Sequence, residues 1–130
     1  DDSSYGTVDN KTVLEPSDDA ATANWGSNWR MPTHEEQVEL NDKCKWTWTT
    51  RNGVKGYKVV GPNGNSIFLP ATGFHSNRKV VGVGSSGYYW SASYYESWPS
   101  SAHDMFLDSS YHFCGKGIRY YGHSVRAVAK

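Results

Sequence analysis

The feature that most constrains the fold of this chain is a change in hydrophobic period near residue 45. Two segments before it have helical character, whereas after it apolar residues alternate in short runs separated by turn residues. Helices first and many short strands afterwards are typical of an α+β fold with a mainly antiparallel sheet. The 130 residues suit one domain, so we predict a single domain over residues 1–130, with 1–10 frayed.

Two polar clusters predict where the helices begin. Ser17, Asp18 and Asp19 precede an alanine-rich stretch, and their side chains can cap the free N–H groups of a short helix over 18–24. Thr33 and Glu36 match a capping box, in which each side chain bonds the other residue's backbone N–H. This pattern predicts a second helix over residues 34–44.

Strands are expected where apolar and polar residues alternate. The pair Asn63-Gly64 lies between two apolar runs, which is a strong indication of a β-hairpin. We predict strands over 56–60, 66–69, 88–93, 103–108 and 124–129, with a further alternation at 46–48. The stretches 24–32 and 71–87 are predicted to be loops, and 109–117 is predicted to be turn-like.

Composition excludes several classes of protein. The mean hydropathy is −0.70, and no apolar run approaches the roughly 18 residues that a membrane span needs, so we expect no membrane insertion. Thirteen basic residues balance thirteen acidic ones, which argues against a nucleic-acid partner. Aromatic residues make up 15% of the chain, too many for a disordered protein.

No histidine, cysteine or carboxylate falls into a recognised catalytic or metal-binding spacing. The five histidines include no His-x-x-x-His pair, and Cys44 and Cys114 form no Cys-x-x-Cys motif. Asp104 and Asp108 would lie about 13 Å apart along a strand, too far to flank one bond. We therefore expect no enzyme, no cofactor and no metal. The two cysteines can form one bridge or stay free.

Large aromatic residues occur in three loop-like segments of the C-terminal third, 94–101, 109–114 and 120–123. These segments combine Tyr and Trp with Ser and Gly, the composition of antibody paratopes. Loops run over the surface, where such rings gain burial only when a ligand covers them. We predict that one ligand-binding face comprises Tyr94, Tyr95, Ser97, Trp98, Tyr111, His112, Phe113, Tyr120, Tyr121 and His123.

The competing interpretation is that aromatic residues fill a small β core. We favour it for Tyr88, Trp90 and Phe106, which lie inside predicted strands. The scaffold is expected to depend on Trp46, Trp48, Trp90, Met105, Leu107 and Val125.

Five phrases of the chain carry a resemblance to a known family. They are WGSNWRMPT (25–33), WTW (46–48), GPNGNSIFLPA (61–71), GYYWSAS (87–93) and GHSVR (122–126). Together, over about residues 18–129, they resemble the Fibrobacter succinogenes major paralogous domain, which is common in Bacteroidetes. The resemblance implies a C-type lectin-like fold, with two helices packed on a twisted, mainly antiparallel sheet, long loops and paired terminal strands. The calcium-binding phrases of classical C-type lectins are not matched.

A narrower resemblance is to C-type-lectin-fold proteins that retroelements of bacteria and phages diversify by mutating template adenines, which converts Asn codons to Tyr, Ser, His and others. Residues 88–130 hold seven of nine Tyr and eight Ser but no Asn, whereas residues 1–87 hold eight Asn. The resemblance implies a non-enzymatic ligand- or receptor-binding domain at a cell surface, outside the cell or on a phage virion, with a surface protein or glycan as partner. It also implies that Cys114, at a diversified position, is a free thiol. The alternative is a calcium-independent glycan-binding or adhesion domain of a secreted Bacteroidetes protein.

Overall fold

The computed structural model describes residues 10–130, which form two helices and ten strands. The helices are α1 (Ala20–Trp25) and α2 (His34–Lys43). The strands are β1 (Trp29–Arg30), β2 (Lys45–Arg51), β3 (Val54–Val60), β4 (Ser66–Pro70), β5 (Phe74–Ser76), β6 (Lys79–Val81), β7 (Ser86–Tyr94), β8 (Ser101–Asp108), β9 (His112–Ile118) and β10 (Val128–Ala129). The predicted fraying of the N-terminus falls, for residues 1–9, outside the described residues.

Every pairing between these strands is antiparallel, which confirms the predicted α+β class. Strands β2, β3 and β4 form one three-stranded sheet, and β7, β8 and β9 form a second with β8 in the middle. Strands β5 and β6 form a hairpin, and β1 pairs with β10. The short β1–β10 pair joins the first strand of the described residues to the last.

Both helices begin at the predicted capping residues. The Asp19 carboxylate accepts hydrogen bonds from the backbone N–H groups of Ala21 and Thr22, and it also accepts one from Met31, 2.8 Å away, at the end of β1. The Thr33 hydroxyl accepts from the Glu36 N–H, and the Glu36 carboxylate accepts from the Thr33 N–H, so the capping box is complete. Asp19 therefore does more than cap α1, because it ties that helix to the chain that follows β1.

Asparagine and glycine form the tight turns of the first sheet. The predicted hairpin at Asn63-Gly64 joins β3 to β4, and Gly64 has a φ of 84°. A second Asn-Gly pair, Asn52-Gly53, joins β2 to β3 with φ values of 49° and 79°. Positive φ at both central residues is what a type I′ hairpin turn requires, and only glycine and asparagine adopt it readily.

Four sequence predictions about the strands are wrong in whole or in part. The turn-like segment 109–117 contains most of β9, which pairs with β8 along its whole length. The predicted loop 71–87 contains the β5–β6 hairpin, with positive φ at both turn residues, Asn77 and Arg78. The predicted loop 24–32 contains β1, and the strand predicted over 124–129 is reduced to β10. Glycines at 115 and 117 interrupt the alternation by which β9 would have been recognised.

Two hydrophobic clusters stabilise the described part of the chain. The larger cluster joins both three-stranded sheets to α2, and its fully buried members include Val59, Leu69, Met105 and Leu107. Trp46 and Trp48 pack against it, and the Trp46 indole N–H donates to the Leu40 carbonyl of α2. The smaller cluster joins α1 to β7 and consists of Ala21, Met31 and Ala92, with Trp90, Val125 and Ala127 packed against it. All six predicted scaffold residues belong to these clusters.

We predict that Asp19→Ala destabilises the fold by about 2 kcal/mol or more, because it leaves buried N–H groups without an acceptor. Urea unfolding monitored by circular dichroism measures the change. Asp18→Ala is the matched control, since Asp18 is exposed, and it should stay within about 0.5 kcal/mol of wild type. Equal losses in the two variants would show that the Asp19 contacts do not stabilise the fold.

Candidate binding surface

One face of the β7–β8–β9 sheet carries a row of aromatic rings. Tyr88, Phe106 and Phe113 are register partners on adjacent strands, so their side chains project to the same face. The ring centroids of Tyr88 and Phe106 lie 4.8 Å apart, and those of Phe106 and Phe113 lie 5.3 Å apart. Tyr111 extends the row, stacking on Phe113 with 5.7 Å between centroids and 16° between the ring planes.

The hairpin β5–β6 and the segment after β9 add rings at the other end of this row. Phe74 contacts Tyr88 edge to face at 5.0 Å and Tyr121 at 5.6 Å, and Tyr120 contacts Tyr121 at 4.8 Å. Two backbone hydrogen bonds between His75 and Gly122 hold the two segments together. The seven rings form one continuous surface, which we call the aromatic face: Phe74, Tyr88, Phe106, Tyr111, Phe113, Tyr120 and Tyr121.

Three rings of the aromatic face are open to solvent. Tyr120 is 74% exposed, Tyr111 53% and Phe113 44%. The other four are half-buried. Tyr88 and Phe106, which we expected in the core, instead lie on this face, because the side chains that precede and follow them along each strand occupy the core side. Large rings with this exposure are unusual on a folded surface unless another molecule covers them.

The predicted loop residues Tyr95 and Trp98 lie elsewhere. Their ring contacts among the described residues are with each other and with His103, whose side chain projects to the core side of β8. The Lys116 ammonium lies 3.3 Å from the Trp98 ring centroid and 4.3 Å from that of Tyr95. These four residues form a second group, the loop cluster, so the ten predicted site residues do not form a single face.

The remaining loop residues line clefts beside the loop cluster. Tyr94 lines a cleft of about 510 Å³ between β7 and residues 11–15, with Met31 and Trp90 among its other walls. Tyr94 also lines a smaller cleft of about 310 Å³, together with Ser97 and Tyr95. The Tyr94 N–H donates to the Thr12 carbonyl, which explains why this ring is half-buried rather than displayed.

His112 does not lie on the predicted face. It is the first residue of β9, and its ring packs flat on Trp46, with 4.0 Å between centroids, on the core side of the sheet. Its Nδ1 lies 2.7 Å from the Asn41 side-chain oxygen, and burial lowers the pKa of the ring. Strand alternation is the reason: His112 must project opposite to Phe113, so the two cannot contact one ligand from the same face.

His123 is buried beneath the aromatic face and is therefore not a surface contact. Its ring stacks on Trp90 at 4.0 Å and on Tyr88 at 4.9 Å, and its side chain is only 2% exposed. The Nε2 atom lies 3.2 Å from a carboxylate oxygen of Asp104, which is equally buried. Gly117 leaves the room for this pair, since a Cβ there would lie 2.6 Å from the carboxylate and 2.7 Å from Nε2.

Sequence reasoning missed two residues that connect the site. Phe74 bridges Tyr88 and Tyr121, and its signal was present in the short alternation on either side of the Asn77-Arg78 turn. Lys116 holds the loop cluster, and nothing in the local sequence distinguishes it from an ordinary surface lysine.

Within residues 10–130 no group of three or more His, Cys, Asp or Glu side chains is arranged to hold a metal ion. In the same range no helix has the length and apolar character needed to cross a membrane. No family model matches the chain, and neither a curated protein nor a solved structure matches it.

Cys44 and Cys114 are both free thiols that pack against the larger hydrophobic cluster. Burial raises the pKa of the Cys114 thiol to about 11, so little thiolate forms near neutral pH. Since the thiolate is the reactive form, Cys114 is unreactive in the folded protein.

We predict that Cys114 in a Cys44→Ser variant reacts with iodoacetamide about a hundred-fold more slowly in the folded protein than in urea at the same mildly alkaline pH. The raised pKa lowers the thiolate fraction by that factor. Mass spectrometry of quenched samples gives both rates. Similar rates in the two states would contradict the burial of this thiol.

We also predict that Tyr120→Ala and Tyr111→Ala each change the free energy of unfolding by less than about 0.5 kcal/mol, because these rings are exposed. Trp90→Ala should cost about 3 kcal/mol or more, because its ring packs against the smaller cluster and the buried His123. Chemical unfolding of the three variants measures the difference. If the tyrosine variants unfold as readily as Trp90→Ala, these rings belong to the core.

Proposed function

We propose that this chain is a non-enzymatic domain that binds a ligand or receptor through its aromatic face. The observation that carries the proposal is the continuous surface of seven rings, three of them open to solvent, on one side of a three-stranded sheet. Tyr and Phe supply large contact area at low entropic cost, and they dominate binding energy where a partner removes them from water. A partner that covers Tyr111, Phe113 and Tyr120 fits this surface best.

We further propose that the scaffold is a C-type lectin-like fold. Support comes from the order of elements, with α1 and α2 before most strands, and from the pairing of β1 with β10 near the two ends of the described chain. The phrase at 61–71 covers the turn between β3 and β4 and all of β4, and the phrase at 87–93 lies in β7. A family motif at such positions would specify the scaffold rather than the ligand.

Diversification by a retroelement is the third part of the proposal. The segment that lacks Asn, residues 88–130, supplies six of the seven rings of the aromatic face. The same segment supplies Met105 and Leu107, which are fully buried in the core. A protein whose recognition changes while its fold persists needs this separation between exposed and buried positions. We place such a domain at a cell surface, in the extracellular space or on a phage virion. Its partner in this proposal is a surface protein, and it needs no cofactor or nucleic acid.

Calcium-independent glycan binding is the second candidate. The exposure of the stacked Tyr111 and Phe113 rings favours it, because an exposed aromatic ring presents a flat apolar face of the kind against which a sugar ring packs. Both candidates place the binding site on the aromatic face. They differ in whether a retroelement diversifies the residues of that face.

The coding DNA tests the first candidate most directly. We expect a nearby near-copy of the 3′ segment that differs only at adenines, with differences at the codons of Tyr111, Phe113 and Tyr120 and none at those of Met105 and Leu107. Long-read sequencing of the locus supplies the comparison. A locus without such a copy, or differences spread evenly over core codons, would refute diversification.

Binding on a printed glycan array in the presence of a chelator tests the second candidate. For any glycan that the labelled wild-type protein binds there, we predict that Tyr111→Ala and Tyr120→Ala each reduce the affinity by at least about 2 kcal/mol. Trp98→Ala, outside the aromatic face, is the control and should retain binding. Binding that the tyrosine variants keep and the Trp98 variant loses would place the site in the loop cluster instead.

A further inference from the structure

Two histidine rings lie in direct contact beneath the loop of residues 94–101. His34, the first residue of α2, stacks on His103 of β8 with 3.7 Å between ring centroids and 19° between ring planes. Tyr95 packs its ring edge to face on His103 at 5.1 Å. The loop closes on itself through backbone hydrogen bonds from Tyr95 to Ser101 and from Ser101 to Trp98. The stacked imidazoles are therefore the surface on which the loop rests.

We propose that the stacked His34 and His103 rings form a pH-sensitive latch that keeps the 94–101 loop closed at neutral pH and releases it on acidification. Stacked neutral imidazoles attract each other as aromatic rings, whereas two imidazolium rings in contact repel. The latch belongs to the loop cluster and stands independently of what the aromatic face binds.

Positive charge is unfavourable at the stack for three structural reasons. His34 occupies the first turn of α2, where the helix dipole opposes a cation. His103 is the register partner of Lys116, so the two side chains lie on one face of the sheet, and a protonated His103 adds a second positive charge to that face. Burial, followed by the charge of His34, lowers the pKa of His103.

Negative groups near the stack favour protonation of His103, so they determine how far the pH must fall before the loop opens. Glu35 of α2 and Asp104 of β8 both favour the protonated form of His103, as does its hydrogen bond to the Gly115 backbone. Glu96 and Glu35 line the cleft of about 310 Å³ beside the two histidines. These groups partly offset the repulsion, but the net effect on the pKa of His103 is a lowering.

The sign of the pH effect follows from this lowering. A base whose pKa is lower in the closed state takes up its proton more readily in the open state, so acidification favours the open state. Closure is complete above the ordinary histidine pKa of about 6.5 and is lost as the pH falls below it. Opening removes Tyr95 and Trp98 from the Lys116 ammonium, because the two rings belong to the loop and Lys116 belongs to strand β9.

Nuclear magnetic resonance of the full chain tests the latch without a ligand. The probes are the His103 ring signals, the Trp98 indole signal and the Lys116 methylene next to the ammonium, which the Trp98 ring shifts upfield while the loop is closed. Between about pH 8 and about pH 5 we expect the Lys116 and Trp98 signals to move toward unstructured values with the midpoint of the His103 titration. His75→Gln, at an exposed histidine in β5, is the matched control and should behave as wild type.

Two variants separate the latch from a general acid effect. In His103→Gln we expect the Lys116 and Trp98 signals to keep their closed values over the whole range. In His34→Gln, loss of the neighbouring charge should move the loop transition to higher pH. The proposal is wrong if Lys116 and Trp98 stay constant while His103 titrates, or if His103→Gln opens at the same pH as wild type. If His103→Gln fails to fold, an unchanged midpoint in His34→Gln would overturn the proposal by itself.

Discussion

The alternation of β8 is the constraint on which both surfaces of the molecule depend. As the middle strand of its sheet, β8 is hydrogen bonded on both edges, so its side chains can project only to the two faces. Met105 and Leu107 are fully buried on one face, in the cluster shared with α2 and the first sheet. Asp104 and Phe106 project to the other face and support the aromatic rings. A register slip of one residue would exchange the two sets, so the core that stabilises the fold also fixes which rings face outward.

Local chemistry predicts both helices and the β3–β4 hairpin of this chain, but neither the β5–β6 hairpin nor the side of the sheet on which each aromatic residue lies. The capping residue Thr33 and the pair Asn63-Gly64 act through bonds to neighbouring backbone, and both predictions are confirmed. Strand β9 was missed because glycines at 115 and 117 remove the alternating pattern. At 115 a Cβ would lie 2.9 Å from the Phe113 ring, and at 117 it would meet the Asp104 carboxylate and the His123 ring. The requirement at 117 comes from residues distant in sequence, which periodicity within one segment cannot reveal.

The same limit explains why the predicted binding face divides into two groups. Once β9 is a strand, Phe113 and His112 must project to opposite faces. The path of a loop decides which face of β8 its residues contact. Tyr95 contacts His103 on the core side. The position of Tyr111 and Tyr120 outside the predicted strands indicated correctly that they are exposed, because loops run over the surface. Residue type could not indicate that His123 fills the space between Trp90 and Tyr88.

The aromatic face thus consists of a fixed centre and a replaceable rim. At the centre, the buried pair of His123 and Asp104 is enclosed by Trp90 and by Gly117, where any side chain would collide with both partners. Replacing either residue leaves a buried polar side chain without its polar neighbour, so substitution there is strongly destabilising. At the rim, Tyr120 and Tyr111 each expose more than half of their surface, and their ring contacts lie on one side only. Changing a rim residue alters what the face can contact without disturbing the centre. The reason is that strand pairing and the hydrogen bonds between His75 and Gly122 hold the backbone of the rim, whereas the rings themselves do not. Substitutions at the rim therefore change the outer surface while the free energy of unfolding stays nearly constant.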